Sequence, residues 1–239
     1  MRILSLWSGP RNVSTALMYS FLQHPAIHVI DEPLYAHYLS KTSVSHPGDK
    51  EVLLTMEHDG EKVLKKIVSE TKKFQIVFLK NMAHHWIGLD SSWLDKYDNI
   101  FLIRDPKQML PSLVNQLPKP ILRDTGLKTQ VEIYDRLQKQ GKQPIIIDAK
   151  YLLKNPKKIL RIVFKHLGFP FSTRMLKWPK GPKREDGIWA KYWYHNVHQS
   201  EEFTPYYAKK EPFPEHLNEL LDECTPYYQY LTKRSIKTD

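Results

Sequence analysis

Five short apolar runs, each closed by a turn or a helix start, constrain this chain more than any other feature. Residues 3–7 stop at Ser8-Gly9-Pro10, residues 27–30 stop at Asp31-Glu32-Pro33, and runs 76–79, 100–103 and 144–147 are equally short. Continuous apolar runs of this length read as strands buried on both faces, the signature of a parallel sheet. Helical periodicity lies between them. Ala16, Leu17, Tyr19, Phe21 and Leu22 give the first helix an apolar side, with Asn12 or Ser14 as its cap. Val63, Leu64, Ile67 and Val68 share a face within 61–71; 127–140 and 159–167 are helical, the latter stopped by Gly168 and Pro170. Residues 86–98 are mixed and part helical, 36–60 read as a loop, 171–214 show little periodicity, and 214–231 close the chain with one or two helices. Strands alternating with helices predict an α/β fold: one domain, 1–239, with a mainly parallel central sheet flanked by helices.

Charge narrows the partners. Lys and Arg number 36 against 26 Asp and Glu, a formal +10, which suits anionic ligands. There is no run of basic residues interleaved with aromatics and no DNA-reading motif, so nucleic acid is not the expected partner. Cys224 is the only cysteine, which excludes an intrachain disulfide and a cysteine-based metal site; no metal is expected. No apolar stretch approaches the ~20 residues of a membrane span, and the start of the chain lacks the apolar core of a secretory signal. A soluble, cytoplasmic protein without a stable membrane anchor is the expectation.

Two places carry anion chemistry. In Ser8-Gly9-Pro10-Arg11-Asn12-Val13-Ser14-Thr15 a loop between strand and helix holds one cation and two hydroxyls. Unpaired N–H groups at a helix start attract anions, and the Arg11 fork of donors matches phosphate or sulfate oxygens. A Walker A loop would need Gly-Lys where Ser14-Thr15 stand, which speaks against an ordinary phosphoryl-transfer P-loop. The second place is Arg104, at the carboxyl end of run 100–103, with Asp105 as helix cap, Pro106 at the first helical position and Ser112 eight residues beyond Arg104. Carboxyl ends of parallel strands are where such sheets bind ligands.

With these residues in place the chain resembles the sulfotransferase superfamily that uses 3′-phosphoadenosine-5′-phosphosulfate (PAPS). Pro10, Arg11, Ser14 and Thr15 match the 5′-phosphosulfate loop P-[KR]-S-G-[ST]-[ST], with Asn12-Val13 replacing Ser-Gly. Val13 is β-branched and is expected to resist a positive φ. Arg104 with Ser112 is similar to the 3′-phosphate motif. Gln23-His24-Pro25 with Asp31-Glu32-Pro33-Leu34-Tyr35 resembles a segment of carbohydrate sulfotransferases. Asp148, Asn155-Pro156 and Leu167-Gly168-Phe169-Pro170-Phe171 follow in family order, and Gly187, Trp189 and Lys191 resemble the late glycine-rich stretch.

The resemblance implies a P-loop-like sulfotransferase fold and transfer of a sulfonyl group to a hydroxyl or amine on a small-molecule or carbohydrate acceptor, leaving PAP. It implies nucleotide contacts from residues 10–15, Arg104, Ser112, Gly187 and Lys191, and help from Lys80 in holding the phosphosulfate. Glu32 is the favoured general base, its backbone held extended by Pro33. His84 or His85 is the alternative, although the family spacing would put that histidine where Met82 stands. A protein that binds PAP without turning it over, a kinase-like nucleotide enzyme and a basic scaffold remain alternatives.

Overall fold

The computed structural model describes residues 1–42, 44–208 and 211–237. Strands β1 (Arg2–Ser8), β2 (Ile27–Asp31), β3 (Ile76–Met82), β4 (Asp98–Ile103) and β5 (Ile145–Asp148) form one parallel sheet in the order β2-β3-β1-β4-β5. The α/β fold with a parallel central sheet is as expected, and the strands overlap the five apolar runs.

Helices cover both faces because the strands are apolar on both. On one side α1 (Ser14–Leu22) sets Leu17, Met18 and Phe21 against Leu4, Leu6 and Phe78, with the Phe21 and Phe78 rings stacked at 4.1 Å. Later in the chain α2 (Tyr35–Lys41) and α3 (Asp49–Thr55) occupy most of the stretch expected to be a loop. Val52 is the only buried residue of α3, so the sequence carries no periodic stripe there. The opposite face receives α4 (Gly60–Glu70), whose Val63, Leu64 and Ile67 pack on Ile3, Val77 and Leu79. Farther on come α5 (Pro106–Leu113), α6 (Leu122–Thr125) and α7 (Leu127–Lys139), with Ile133, Tyr134 and Leu137 of α7 against Trp7, Phe101 and Ile103. Beyond β5, α8 (Ala149–Lys154) and α9 (Pro156–Leu167) return to the α1 side, and Gly168 ends α9 in the left-handed conformation at φ +72°. The aperiodic late region contains short helices α10 (Ala190–Trp193) and α11 (His195–His198), and α12 (Asn218–Thr232) closes the described fold.

Topology selects the place for a ligand. From β1 the chain moves to one side through β2 and β3, then crosses to the other side for β4 and β5. The order therefore reverses between β1 and β4, where open α/β sheets leave a crevice beyond the strand ends. Ser8 of β1 pairs in register with Leu102 of β4. The loops carrying Arg11 and Arg104 thus leave adjacent strand ends, although 93 residues separate them.

A buried amide braces that crevice from below. Gln130 of α7 donates from Nε2 to the carbonyls of Trp7 at 2.8 Å and Leu102 at 3.0 Å, tying the ends of β1 and β4 together. Gln130→Leu removes the shared donor from both carbonyls without opening a large void. It should cost about 1–3 kcal/mol, the scale of an unsatisfied buried polar group. The expected result is a lower urea midpoint at unchanged denaturant slope; an unchanged midpoint would contradict the bracing role.

Candidate active site

The loop after β1 has a backbone that few residues accept. A Cβ on Gly9 would lie 2.2 Å from the Thr125 carbonyl oxygen, so α6 backs the loop too closely for a side chain there. Arg11 and Val13 take φ +57° and +61°. Val13 therefore adopts the conformation that its β-branch disfavours, at a cost of order 1–3 kcal/mol that the surrounding contacts must offset. Val13, rather than Asn12 or Ser14, is the residue before the first turn of α1, and no side chain caps that turn. Asn12 is buried behind the loop. The first-turn N–H groups of α1 thus have no side-chain cap, and Pro10, Arg11, Asn12, Val13, Ser14 and Thr15 line a cavity of about 390 Å³.

Arg104 enters the same cavity from β4 and donates from Nη1 to the Arg11 carbonyl at 2.8 Å. The second anion residue thus supports the first loop from behind. Asp105 caps α5 through the Lys107 N–H, and Ser112 lies on the cavity wall. Burial lowers the proton affinity of both guanidiniums, and the charge of Arg11 adds to the effect on Arg104. Among the described residues, arginine–carboxylate pairs form at Arg2, Arg123 and Arg136, but not at Arg11 or Arg104. The Arg11 Nε is buried without a hydrogen-bond partner. Two desolvated cations that line one cavity without carboxylate partners fit an anion with two charged ends.

The other end of the cavity is built on β2 and β3. Asp31 and Lys80 pair in register, which sets their side chains side by side. Lys80, 1% exposed, donates to Asp31 Oδ1 at 2.9 Å, to Glu32 Oε1 at 2.5 Å and to the Tyr194 hydroxyl. An ammonium has three N–H bonds, and all three are used, so in this arrangement Lys80 has none left for a phosphosulfate. Burial disfavours its charge, but Asp31 and Glu32 outweigh that and raise its pKa. For Glu32 the balance goes the other way: burial raises its pKa above the ordinary range against the pull of Lys80. Glu32 takes φ +36° instead of the extended conformation expected before Pro33. Its N–H donates to the Lys80 carbonyl at 2.8 Å and its carbonyl accepts from Tyr35 N–H at 3.1 Å. This turn overrides the usual preference of a residue before proline.

His84 and His85 follow β3 in a single 3₁₀ turn and line the cavity. Both are buried. Burial, reinforced by the charges of His46 and Arg123, pushes His84 down to about 3, and burial also drives His85 well below the ordinary imidazole range. Gly187 and Lys191 lie outside the lining. Gly187 donates its N–H to Asp31 Oδ2 at 3.1 Å, and a Cβ there would strike the Trp189 ring at 2.1 Å. Lys191 pairs with Glu51 at the surface, both roughly half exposed.

The sequence does not mark several wall residues: His46, Asp124, Trp193 and Tyr194. For Trp193 and Tyr194 the aromatic spacing at 189–194 is the only signal, and His46 and Asp124 have none.

Comparison with known proteins agrees with this geometry. Over residues 1–235 the chain matches the family model described as a sulfotransferase domain. Two Arabidopsis thaliana proteins, named branched-chain-amino-acid aminotransferase-like proteins 2 and 1, are each 40% identical to it. The matches take in 97% and 96% of this chain but 41% of each relative, so the chain spans about two-fifths of their length. Among solved structures, the sulfotransferase from Alicyclobacillus acidocaldarius superposes with a TM-score of 0.59 at 12% identity, covering 99% of this chain and 98% of that one. The sulfotransferase domain of the Synechococcus PCC 7002 olefin synthase gives 0.56 at 17% identity, covering 94% of each chain. These two likenesses are of fold. With the family match running through both arginine loops, the chain belongs to the sulfotransferase domain family.

Proposed function

We propose that residues 1–239 form a sulfotransferase unit that moves a sulfonyl group from PAPS to a hydroxyl or amine of a small-molecule or carbohydrate acceptor, in a cytoplasmic setting. The observation that carries this reading is the pair of guanidiniums, Arg11 and Arg104, that lack carboxylate partners at the sheet's switch point. A nucleotide phosphorylated at both the 3′ and 5′ positions offers each guanidinium an anionic end.

PAPS supplies an activated sulfonyl group and departs as PAP. The residues of this chain do the rest. Arg11 and the first-turn N–H groups of α1 hold the 5′ end, and their positive potential offsets the charge that grows there as the S–O bond breaks. Arg104 and Ser112 hold the 3′ end. Glu32 takes the proton that the acceptor loses as it attacks sulfur. We assign Lys80 to Glu32 and Asp31, as the cation that keeps the two carboxylates together, and not to the phosphosulfate.

Binding is tested by thermal shift. PAP at one hundred times its Kd should add about 2.7 kcal/mol of stability, while AMP at equal concentration should give a much smaller shift; equal shifts would remove the 3′-phosphate site. Arg104→Ala should weaken PAP binding by about 1.5–3 kcal/mol, the scale of a hydrogen bond to a charged group. Because Arg104 also holds the Arg11 carbonyl, its loss should lower turnover as well.

The base is tested by pH. Glu32→Gln should bind PAP normally and lose about 10²–10⁴-fold in kcat. Since the Glu32 pKa is raised, the active form is lost as pH falls through that raised value. The acid limb of kcat should therefore lie above pH 4.5, the ordinary carboxylate value. A His84 base, with its pKa near 3, would stay unprotonated to far lower pH and leave kcat flat across that region. A flat profile with full activity in Glu32→Gln would transfer the role to histidine.

A further inference from the structure

Asp31 and Glu32 are adjacent carboxylates sharing one ammonium, yet their surroundings differ. Asp31 receives Lys80 at 2.9 Å, the Gly187 N–H at 3.1 Å and the Tyr194 hydroxyl at 2.8 Å. Glu32 receives Lys80 at 2.5 Å, and the Tyr194 hydroxyl is 3.5 Å away. The difference comes from the stretch after Gly187, which folds over the pair. A hydroxyl has one proton to give and two lone pairs to accept with. In Tyr194 the lone pairs take the Lys80 ammonium and the Trp189 indole N–H, the latter at 3.1 Å. Its single proton is thereby directed to Asp31, the nearer carboxylate. Tyr194 is buried, so water does not compete for any of these bonds.

We propose that Tyr194 is a positioning residue that fixes Asp31 as the permanent counter-ion of Lys80 and so leaves Glu32 as the carboxylate able to accept a proton from the acceptor. The proposal rests on the sulfotransferase reading for its purpose but not for its test. Two neighbouring carboxylates with one cation divide their roles when the environment treats them differently. Here that asymmetry is made by a residue 163 positions away in sequence from Asp31. The groups facing Glu32 are Asp31 on β2, Lys80 on β3, Tyr35 on α2 and Tyr194 itself; His85 lies beyond Lys80. Of these, Tyr194 alone bonds to both Lys80 and Asp31. Its ring also sits 4.8 Å from the Lys80 nitrogen, a contact that phenylalanine keeps.

The test follows the Glu32 side-chain carboxyl by ¹³C NMR in the full chain without added nucleotide, in wild type, Tyr194→Phe and Asp31→Asn. In Tyr194→Phe, Asp31 loses a donor and draws Lys80 closer, so Glu32 loses part of its cation. Its titration should move up by about one to two pH units, the size of a hydrogen bond to a charged group. In Asp31→Asn, Lys80 is left to Glu32 alone, and the titration should move down. Where an acceptor gives turnover, the acid limb of kcat should follow the same two directions with the Kd for PAP unchanged within about twofold. A purely structural role for Tyr194 would lower the melting temperature and leave the Glu32 titration and acid limb in place. That result, or a downward shift in Tyr194→Phe, would overturn the proposal. Should Tyr194→Phe not fold, Asp31→Asn decides alone: an unmoved or raised Glu32 titration overturns it. If carboxyl shifts appear as expected and no acceptor or donor gives turnover, the sulfotransferase reading fails while this one stands.

Discussion

A buried ammonium organises the far wall of this cavity. Lys80 lies in β3, between β2 and β1, where solvent does not reach it. Removing such a charge from water costs several kcal/mol unless every N–H finds an acceptor. Three acceptors meet that demand, and each comes with a structural commitment: Asp31 by strand register, Glu32 by a turn at positive φ, and Tyr194 by folding a distant segment onto the sheet edge. The aromatic wall of Trp189 and Trp193 is brought in with Tyr194. The local stability of that segment is thus coupled to the charge pair proposed to carry the chemistry, so substitutions here change packing and proton affinity together.

The near wall rests on the opposite electrostatic condition. Arg11 and Arg104 repel each other, and the bond from Arg104 to the Arg11 carbonyl holds them together despite this. The loop stores strain at Arg11 and Val13, and the first turn of α1 goes without a side-chain cap. An anion would offset the arginine repulsion and satisfy the uncapped turn, while the backbone strain is a cost that the loop carries, a pattern expected of a binding site. Together the two walls put a pair of arginines and a pair of carboxylates in and beside one cavity, the residues on which the proposed transfer rests.

Much of this was legible in the sequence wherever the signal was local. The strand–loop–helix order, Arg104 with Ser112 on α5, the end of α9 at Gly168 and the short strands all follow from runs, caps and turns within a few residues. What was not legible depends on partners far away. Asn12 and Ser14 are good capping residues by propensity, but the fold buries Asn12 and turns Val13 into the left-handed region. The Pro33 preference for an extended Glu32 yields to hydrogen bonds with Lys80 and Tyr35. Lys80 itself reads as a ligand for phosphosulfate until its three acceptors are seen, and Tyr194 has no periodic pattern to mark it. Lys191, in a stretch that resembles a nucleotide-binding segment, instead bridges to Glu51 at the surface.

The proposed transfer depends most on Arg11 and Arg104 being the two ends of one nucleotide site with Glu32 across from its 5′ end. A crystal structure of the complex with PAP measures that directly. The expected result places the 5′-phosphate on Arg11 and the first-turn N–H groups of α1, the 3′-phosphate on Arg104 and Ser112, and Glu32 open on the 5′ side. PAP bound with its 3′-phosphate away from Arg104, or seated outside this cavity, would contradict it.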